Sequence, residues 1–198
     1  MAKLYFRYGT VGSAKTLNLL AVAHNYRQQG KKILLLKPDL DIRFGKENIR
    51  SRAGLEMVAD ILITMDTDLL EVDFTDISCI LVDEVQFVSA HHIDQLREIT
   101  LSRQIPIICY GLRTDFKTKL FEGSRRLMEL ADSIEEVKAT CHFCNRKSIL
   151  NLRHVDGVAC FDGPVVQLGT EERYYPTCYS CYADQIEKSK QKAFAGVS

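Results

Sequence analysis

The first residues in this sequence with types and spacing suited to chemistry are segment 9–16, Gly-Thr-Val-Gly-Ser-Ala-Lys-Thr. The segment follows a short apolar run and precedes a helix-patterned stretch. Backbone N–H groups in such a turn converge on a phosphate group, and the positive end of the helix dipole adds to the attraction. Lys15 can reach the β- and γ-phosphates of a nucleotide, and the Thr16 hydroxyl can bind the accompanying Mg²⁺. The segment therefore predicts a phosphate-binding loop.

Ala14 stands where the usual pattern of such loops, GxxxxGK[ST], has a glycine. Alanine adopts right-handed helical dihedral angles easily but disfavours positive φ. We therefore expect residue 14 to be already helical, because the loop would otherwise be strained. The alternative to a nucleotide site is a chance match within a glycine-containing loop.

Two carboxylates, Asp83 and Glu84, follow directly after the apolar strand predicted at residues 77–82. In nucleotide-binding α/β folds an aspartate at this point lies beside the phosphate loop and holds Mg²⁺. Glu84 could then act as a base, orienting water in an ATPase or accepting a proton from a substrate hydroxyl in a kinase. The alternative is that Asp83 only caps the next turn.

Two Cys-X-X-Cys motifs, Cys141/Cys144 and Cys178/Cys181, predict a metal site. Four thiolates from two such motifs close a tetrahedral Zn²⁺ site with no open position, so the metal would be structural. Residues 145–177, which lie between the motifs, are polar, and we expect a loop that the metal ties down. His142 is an alternative ligand. The remaining cysteines, expected to be small buried apolar residues, are Cys79, Cys109 and Cys160.

The elements that must position these residues alternate between strands and helices. Strands are predicted at residues 3–8, 32–36, 77–82, 105–110 and 134–139, and helices at 16–29, 91–103 and 117–130. The unbroken apolar runs indicate an α/β fold with a parallel sheet covered by helices on both faces. Residues 38–52 lack a period and are predicted to form a loop over the site.

The composition changes near residue 140, where the chain becomes cysteine-rich and loses the helix alternation. We predict a nucleotide-binding domain over residues 1–139, a zinc-binding domain over 140–186 and a flexible tail over 187–198.

The chain has 198 residues, with 26 acidic and 26 basic side chains, so no overall field favours a nucleic acid or an anionic membrane. No apolar stretch approaches the ~20 residues of a spanning helix, and the N-terminus lacks the apolar core of a signal peptide. An odd number of cysteines with Cys-X-X-Cys spacing indicates metal binding in a reducing compartment. We therefore expect a cytoplasmic protein without nucleic-acid or membrane partners.

Together these residues resemble the type II thymidine kinase family over essentially the whole chain. Beyond the phosphate loop and the cysteine motifs, the resemblance rests on Lys37-Pro-Asp-Leu-Asp-Ile-Arg-Phe44, Asp83-Glu-Val-Gln-Phe87 and Tyr110-Gly-Leu-Arg-Thr-Asp-Phe116. It implies a RecA-like P-loop fold with a zinc-binding lasso domain. It also implies transfer of the ATP γ-phosphate, with Mg²⁺, to the 5′-hydroxyl of thymidine or deoxyuridine, giving dTMP in nucleotide salvage.

The resemblance also implies roles for individual residues. Glu84 would accept the 5′-hydroxyl proton, Arg43 would neutralise charge near the transferring phosphoryl group, and Asp41 would lie at the sugar. The implied ATP and Mg²⁺ site comprises Gly9, Thr10, Val11, Gly12, Ser13, Ala14, Lys15, Thr16, Asp83, Glu84, Val85 and Gln86. The implied nucleoside site comprises Asp41, Phe87, Leu112, Phe116, Phe121, Val165, Gln167 and Tyr174.

In the family's arrangement, main-chain groups of residues 165–167 would read the edge of the thymine, Tyr174 would pack against the nucleoside, and Val11 would contribute to the pocket wall. The family often has Met where this chain has Val11. A homotetramer and feedback inhibition by dTTP, bound with its base in the thymidine site, are also implied.

Each of these residues could instead have a purely structural role. The phenylalanines at positions 87, 116 and 121 could be core residues, Asp41 and Arg43 could form a solvated pair, and Tyr174 could pack only against the cysteine motifs. Two other functions also remain open: a zinc-containing ATPase in which Glu84 activates water, and a nucleotide-binding switch without turnover.

Overall fold

The computed structural model describes residues 1–41, 45–155, 157–163 and 172–195. By its internal contacts the chain separates into two compact units. The first, which we call the sheet unit, comprises Met1–Tyr8, Ala14–Arg113 and Phe121–Val137. The second, which we call the cysteine unit, comprises Gly9–Ser13, Thr114–Leu120 and Lys138–Ser198.

The sheet unit is built on a parallel sheet of six strands, with a two-stranded antiparallel ribbon beside it. Its strands in chain order are β1 (Leu4–Tyr8), β2 (Lys32–Pro38), β3 (Asn48–Arg50), β4 (Glu56–Val58), β5 (Ile61–Ile63), β6 (Ile77–Val82), β7 (Ile107–Gly111) and β8 (Ser133–Glu136). The spatial order in the large sheet is β5-β2-β6-β7-β1-β8, and every neighbouring pair is parallel. The prediction of a parallel α/β sheet is confirmed.

Three helices belong to this unit: α1 (Lys15–Gln28), α2 (Ala90–Ser102) and α3 (Glu122–Leu130). Successive residues of β6 enter different apolar cores, because side chains alternate between the faces of a sheet. Leu81 packs in a cluster with residues of α1, whereas Ile80 and Val82 pack in a cluster with residues of α2 and α3. Burial on both faces explains why the strand sequence is an unbroken apolar run.

Two predictions about local structure are wrong. Residues 117–121, expected to be helical, precede α3, and the Asp115 side chain accepts hydrogen bonds from the Lys117 and Lys119 N–H groups. Thr118 has φ 66°, which a helix does not allow. Residues 38–52, expected to be a loop, contain β3, which pairs with β4. Strands of three residues are too short to produce a periodic signal.

The cysteine unit contains a three-stranded antiparallel sheet and a helix. Its elements are β9 (Leu150–Val155), β10 (Val158–Cys160), β11 (Glu172–Thr177) and α4 (Tyr179–Ala195). The strand order is β10-β9-β11, and Leu150, Leu152 and Tyr182 form a small buried core. Residues 145–177 therefore contribute a sheet, where the sequence predicted only a tied-down loop.

The helix α4 continues to Ala195, so the start of the expected flexible tail is helical. Among the residues that the structure describes, no helix has the length and apolarity needed to cross a membrane.

Candidate functional site

The end of β6 and the start of α1 bring together the charged residues of the predicted phosphate site. Thr16 Oγ1 donates a hydrogen bond to Asp83 Oδ2 at 3.1 Å. Lys15 and Asp83 are both buried. The carboxyl edge of a parallel sheet is where α/β folds collect ligand-binding groups, and these residues lie there because each stands where its strand or loop ends.

Burial, together with a smaller effect of the neighbouring Glu84 carboxylate, raises the pKa of Asp83 to about 7. The Thr16 hydroxyl and the Lys15 ammonium act against this rise. A divalent cation would restore the ionised form, because its charge stabilises a carboxylate. The hydroxyl of Thr16 and the carboxylate of Asp83 are oxygen donors of the kind that Mg²⁺ prefers, so this pair fits the ion.

Glu84 stands at the start of a single 3-10 turn, Val85–Phe87, in a left-handed backbone conformation with φ 48° and ψ 38°. The Gln86 side chain donates to Glu84 Oε2 through its Nε2 and accepts the Leu112 N–H at 2.9 Å through its Oε1. Val85 is buried in the apolar core. Left-handed conformations of non-glycine residues cost about 1–3 kcal/mol and cluster at functional sites.

Ala14 has φ 64° and ψ 24°, a left-handed conformation, so the expectation that residue 14 is helical is wrong. Its carbonyl accepts hydrogen bonds from the Asn18 N–H at 3.0 Å and from Asn18 Nδ2 at 3.1 Å. The left-handed conformation of Ala14 directs its carbonyl toward Asn18, and these two bonds form the start of α1. The loop thus keeps a glycine-type geometry without the glycine, at a cost of about 1–2 kcal/mol.

The first half of the phosphate loop, Gly9–Ser13, is anchored within the cysteine unit by two polar side chains. The Val11 N–H donates to Asn151 Oδ1 at 2.9 Å, and the hydroxyls of Thr10 and Ser148 are 2.8 Å apart. Asn151 also donates to the Thr114 carbonyl at 3.1 Å. Sequence reasoning missed both anchors, because a single polar residue within or just before a short strand has no distinctive motif.

Asp41 is held by Lys37, whose side chain is almost completely buried at the end of β2. The ammonium group lies 3.2 Å from the Asp41 carboxylate and donates to the carbonyls of Asp41, at 2.7 Å, and Asn48, at 3.0 Å. Lys37 therefore fixes both ends of the segment that carries the predicted acceptor-site residues. Arg43 lies outside the described residues.

The aromatic residues predicted at the nucleoside site are divided between the units. In the sheet unit, Phe87 and Phe121 make an edge-to-face contact with ring centroids 5.8 Å apart. In the cysteine unit, the guanidinium carbon of Arg153 lies 4.8 Å from the centroid of the Phe116 ring, and Tyr182 donates to the Phe116 carbonyl at 2.6 Å.

Tyr174 pairs with Arg153 in the register of β11 with β9. Sequence reasoning missed Arg153, which is buried in β9. Val165 and Gln167 lie outside the described residues.

The four cysteines predicted to bind metal come together in the cysteine unit, with all sulfur atoms within 4.8 Å of one another. The Sγ atoms of Cys144 and Cys178 are 3.7 Å apart. Zn–S bonds of about 2.3 Å place tetrahedral sulfurs roughly 3.8 Å apart, so the cluster matches a Zn²⁺ site.

The electrostatics of the cluster also favour a cation. Burial opposes ionisation of Cys141, but backbone N–H groups from Cys178, Phe143 and Cys144 lower its pKa to about 7. The Cys178 thiol raises the pKa of Cys181 to about 12. A metal ion favours the thiolate form of all its ligands, because it supplies the positive charge that the cluster itself lacks.

The other cysteines differ in their surroundings. Cys79 and Cys109 are buried as expected, and burial raises the pKa of Cys79 to about 11. Cys160 is only partly buried and donates to the Asp162 carbonyl, so the expectation that it is a buried apolar residue is wrong. His142 stacks on Tyr175, with ring centroids 4.5 Å apart.

Comparison with known proteins gives one consistent family. The thymidine kinase family model matches residues 2–182. The thymidine kinase of Lactiplantibacillus plantarum is 43% identical over 185 residues, which cover 92% of this chain and 96% of that protein. That of Enterococcus faecalis is 41% identical over 186 residues, covering 92% and 95%.

Among solved structures, the Pif1 helicase from Candida albicans matches with a TM-score of 0.40 and 14% identity. The match covers 69% of this chain and 36% of the helicase.

Proposed function

This chain belongs to the thymidine kinase family, and on that premise we propose that it transfers the γ-phosphate of Mg·ATP to the 5′-hydroxyl of thymidine. The family makes it a phosphotransferase of the nucleoside kinase class. The observation that carries the proposal beyond the family is the grouping of Lys15, Thr16, Asp83 and Glu84 at one edge of the sheet, with Thr16 hydrogen-bonded to Asp83.

In this proposal the residues of the phosphate loop bind and orient the donor. Backbone N–H groups of the loop and the start of α1 bind the phosphates, and Lys15 balances the negative charge that they bring. Thr16 and Asp83 would hold Mg²⁺, which when bound neutralises charge on the β- and γ-phosphate oxygens. Val85 contributes by packing in the core, which holds the turn that carries Glu84.

Glu84 is the proposed base. Its carboxylate accepts the proton of the 5′-hydroxyl as the oxygen attacks the γ-phosphorus and the bond to the β-phosphate oxygen breaks. Arg43 would lie near the transferring phosphoryl group and Asp41 near the sugar. The three contacts of Lys37 support the placement of Asp41, because they connect its carboxylate and carbonyl to the end of β2 and to the start of β3.

For the nucleoside, we propose that Phe87, Phe121, Leu112, Phe116 and Tyr174 supply apolar walls. The main chain of residues 165–167 would read the thymine edge. Sites of this kind combine apolar walls with a few fixed polar groups. Deoxyuridine would also be accepted, because it differs from thymidine only in a methyl group, which is worth about 1–3 kcal/mol in such a pocket.

The four-cysteine cluster would hold a structural Zn²⁺, since four thiolates leave no position open for chemistry. A homotetramer, inhibition by dTTP and a cytoplasmic location complete the proposal. The tetramer and the inhibition are supported by the family resemblance, and the cytoplasmic location by the odd number of cysteines with Cys-X-X-Cys spacing.

The decisive experiment measures ADP production from Mg·ATP with and without thymidine, deoxyuridine, uridine and deoxycytidine, with nucleotide products separated by chromatography. We expect ADP release that depends on thymidine or deoxyuridine and equals the monophosphate formed. ADP release regardless of nucleoside would instead identify an ATPase. ATP binding without any ADP release would identify a nucleotide-binding switch.

A further inference from the structure

A carboxamide side chain connects the proposed base to the neighbouring strand of the sheet. Gln86 is only 3% exposed, and both polar atoms of its side chain are engaged. Its Nε2 donates to the Glu84 carboxylate, and its Oε1 accepts the Leu112 N–H at 2.9 Å. Leu112 directly follows β7, which lies beside β6 in the sheet. The side chain therefore ties Glu84 to the fixed end of a central strand.

The space for this connection exists because glycine occupies position 111. A Cβ on Gly111 would lie 2.6 Å from Gln86 Oε1 and 2.8 Å from Val85 Cγ1, and both distances are shorter than real Cβ contacts. Gly123, in α3, lies against the same turn. A Cβ there would clash with the carbonyl oxygens of Val85 and Val88. Two glycines thus let β7 and α3 pack closely around the turn that carries Glu84.

We propose that Gln86 is a positioning residue for Glu84, an inference that rests on the proposed kinase function. A glutamate carboxylate has three rotatable side-chain bonds, and a left-handed backbone alone does not fix its direction. The amide N–H of Gln86 holds one carboxylate oxygen, and the Leu112 N–H holds the amide. The role of Gln86 is therefore to maintain the distance and angle from Glu84 to the acceptor hydroxyl, on which proton transfer depends.

The chain contains a matched control for this chemistry. Gln95, in α2, is also buried, donates to Asp68 Oδ1 at 2.7 Å and accepts the Leu69 N–H at 3.2 Å. It therefore makes the same carboxylate-to-amide connection, but to Asp68 and Leu69 at the start of a separate 3-10 turn rather than to Glu84. Replacing either glutamine by methionine removes both hydrogen bonds at similar side-chain volume.

The test compares wild type, Gln86→Met and Gln95→Met for kcat, for the KM of thymidine and for the affinity of Mg·ATP by calorimetry. We expect Gln86→Met to lose about 10–100-fold in kcat, because a small misplacement of a catalytic group is costly. The family resemblance places Gln86 in the ATP site, whereas the positioning role predicts that its KM for thymidine and its affinity for Mg·ATP stay within about threefold of wild type. A loss of ATP affinity as large as the loss of kcat would assign Gln86 to nucleotide binding and overturn the positioning role. Gln95→Met should keep kcat within about twofold. A Gln86→Met enzyme with wild-type kcat, or an equal loss in both variants, would overturn the positioning role.

Gly111→Ala provides a second route if Gln86→Met does not fold. The added Cβ crowds Gln86 Oε1 and Val85 Cγ1 most closely and lies 3.2 Å from the Gln86 backbone nitrogen, so we expect the Gln86 side chain to be displaced. We expect a similar loss of kcat and, by hydrogen exchange, faster exchange of the Leu112 amide. Unchanged kcat together with an unchanged Leu112 amide would contradict the proposal. Absence of thymidine-dependent ADP release in wild type would instead overturn the proposed function.

Discussion

The sheet unit and the cysteine unit differ in the interactions that hold their functional groups in place: apolar burial in the first, and a small core with a cluster of four cysteines in the second. The sheet unit buries two apolar clusters, one on each face of a six-stranded sheet. The cysteine unit has three strands and a core built around Leu150, Leu152 and Tyr182, next to the four sulfur atoms. A small unit buries too little apolar surface to be stable alone, and metal ligation commonly supplies the difference.

The two units also differ in how they treat polar groups at the phosphate loop. In the sheet unit, Lys15, Asp83 and Glu84 are charged groups beside one another, and burial raises the pKa of Asp83. In the cysteine unit, the loop residues Thr10 and Val11 are held by neutral hydrogen bonds with the Ser148 hydroxyl and the Asn151 side-chain oxygen. The charged groups are suited to act on a ligand, whereas the neutral ones are suited to hold the backbone. The following predictions test this division.

The largest effect should come from removing the metal site. Cys178→Ser deletes one of four thiolates, so we expect loss of bound zinc and unfolding of the cysteine unit, since structural zinc can supply on the order of 10 kcal/mol. Hydrogen exchange should show lost protection in β9 and β11 but retained protection in β6 and β7. Zinc analysis provides the stoichiometry. Unchanged zinc content together with an unchanged KM for thymidine would show that the cluster does not have this role.

The next effect should be catalytic rather than structural. Glu84→Gln keeps the size of the side chain but removes the proton acceptor, so kcat should fall by roughly 10²–10⁴-fold. Binding of Mg·ATP and of thymidine, measured by calorimetry, should be retained. A variant with near-wild-type kcat would show that Glu84 is not the base.

A core substitution tests whether the sheet unit depends on apolar packing. Leu81 is completely buried in the cluster formed with α1. Leu81→Ala leaves a cavity and should lower the free energy of unfolding by about 2–5 kcal/mol. Zinc stoichiometry in the folded protein should remain that of the wild type. Chemical denaturation monitored by circular dichroism gives the first quantity, and a loss below about 1 kcal/mol would argue against a packing-dominated unit.

A smaller effect, and a stabilising rather than a destabilising one, is expected at Ala14 in the predicted phosphate loop. Ala14→Gly relieves a left-handed conformation, worth about 1–2 kcal/mol, but gives the unfolded chain more freedom, so we expect a net stabilisation of roughly 0.5–1 kcal/mol. The matched control is Ala21→Gly, which lies exposed within α1 and should destabilise by about 1 kcal/mol. Equal destabilisation by both substitutions would mean that position 14 is not left-handed in solution.

The smallest effect is expected at a surface ion pair. The Leu4 N–H and the Arg97 guanidinium lower the pKa of Asp132. A lowered pKa in the folded state stabilises the protein above the unfolded pKa, and that contribution disappears as the pH falls through the folded pKa. Asp132→Asn should therefore destabilise by at most about 1 kcal/mol at neutral pH, because the pair is largely solvated. Denaturation curves should converge with wild type in acid, and a difference that persists there would contradict the electrostatic origin.

Much of the sheet unit could be predicted from sequence, because β2, β6 and β7 are apolar runs and α2 carries apolar residues at helical spacing. The prediction failed where the signal was short or dominated by side-chain to backbone bonds. The three-residue strands β3, β4 and β5 gave no period, and the Asp115 turn replaced the first part of the expected third helix. The four cysteines that cluster were identified by their spacing, but the sheet between them was not.

The sequence by itself determined the chemical groups of this protein: the predicted phosphate loop, the Asp83-Glu84 pair, the four cysteines and the family to which they point. These depend on residues close together in the chain, which a linear pattern records. Only the tertiary structure decided how those groups are held. Gln86 spans from Glu84 to Leu112, Asn151 from Val11 to Thr114, and Lys37 from Asp41 to Asn48. Most of these partners are distant in sequence, and each is specified by the packing of strands rather than by any local motif.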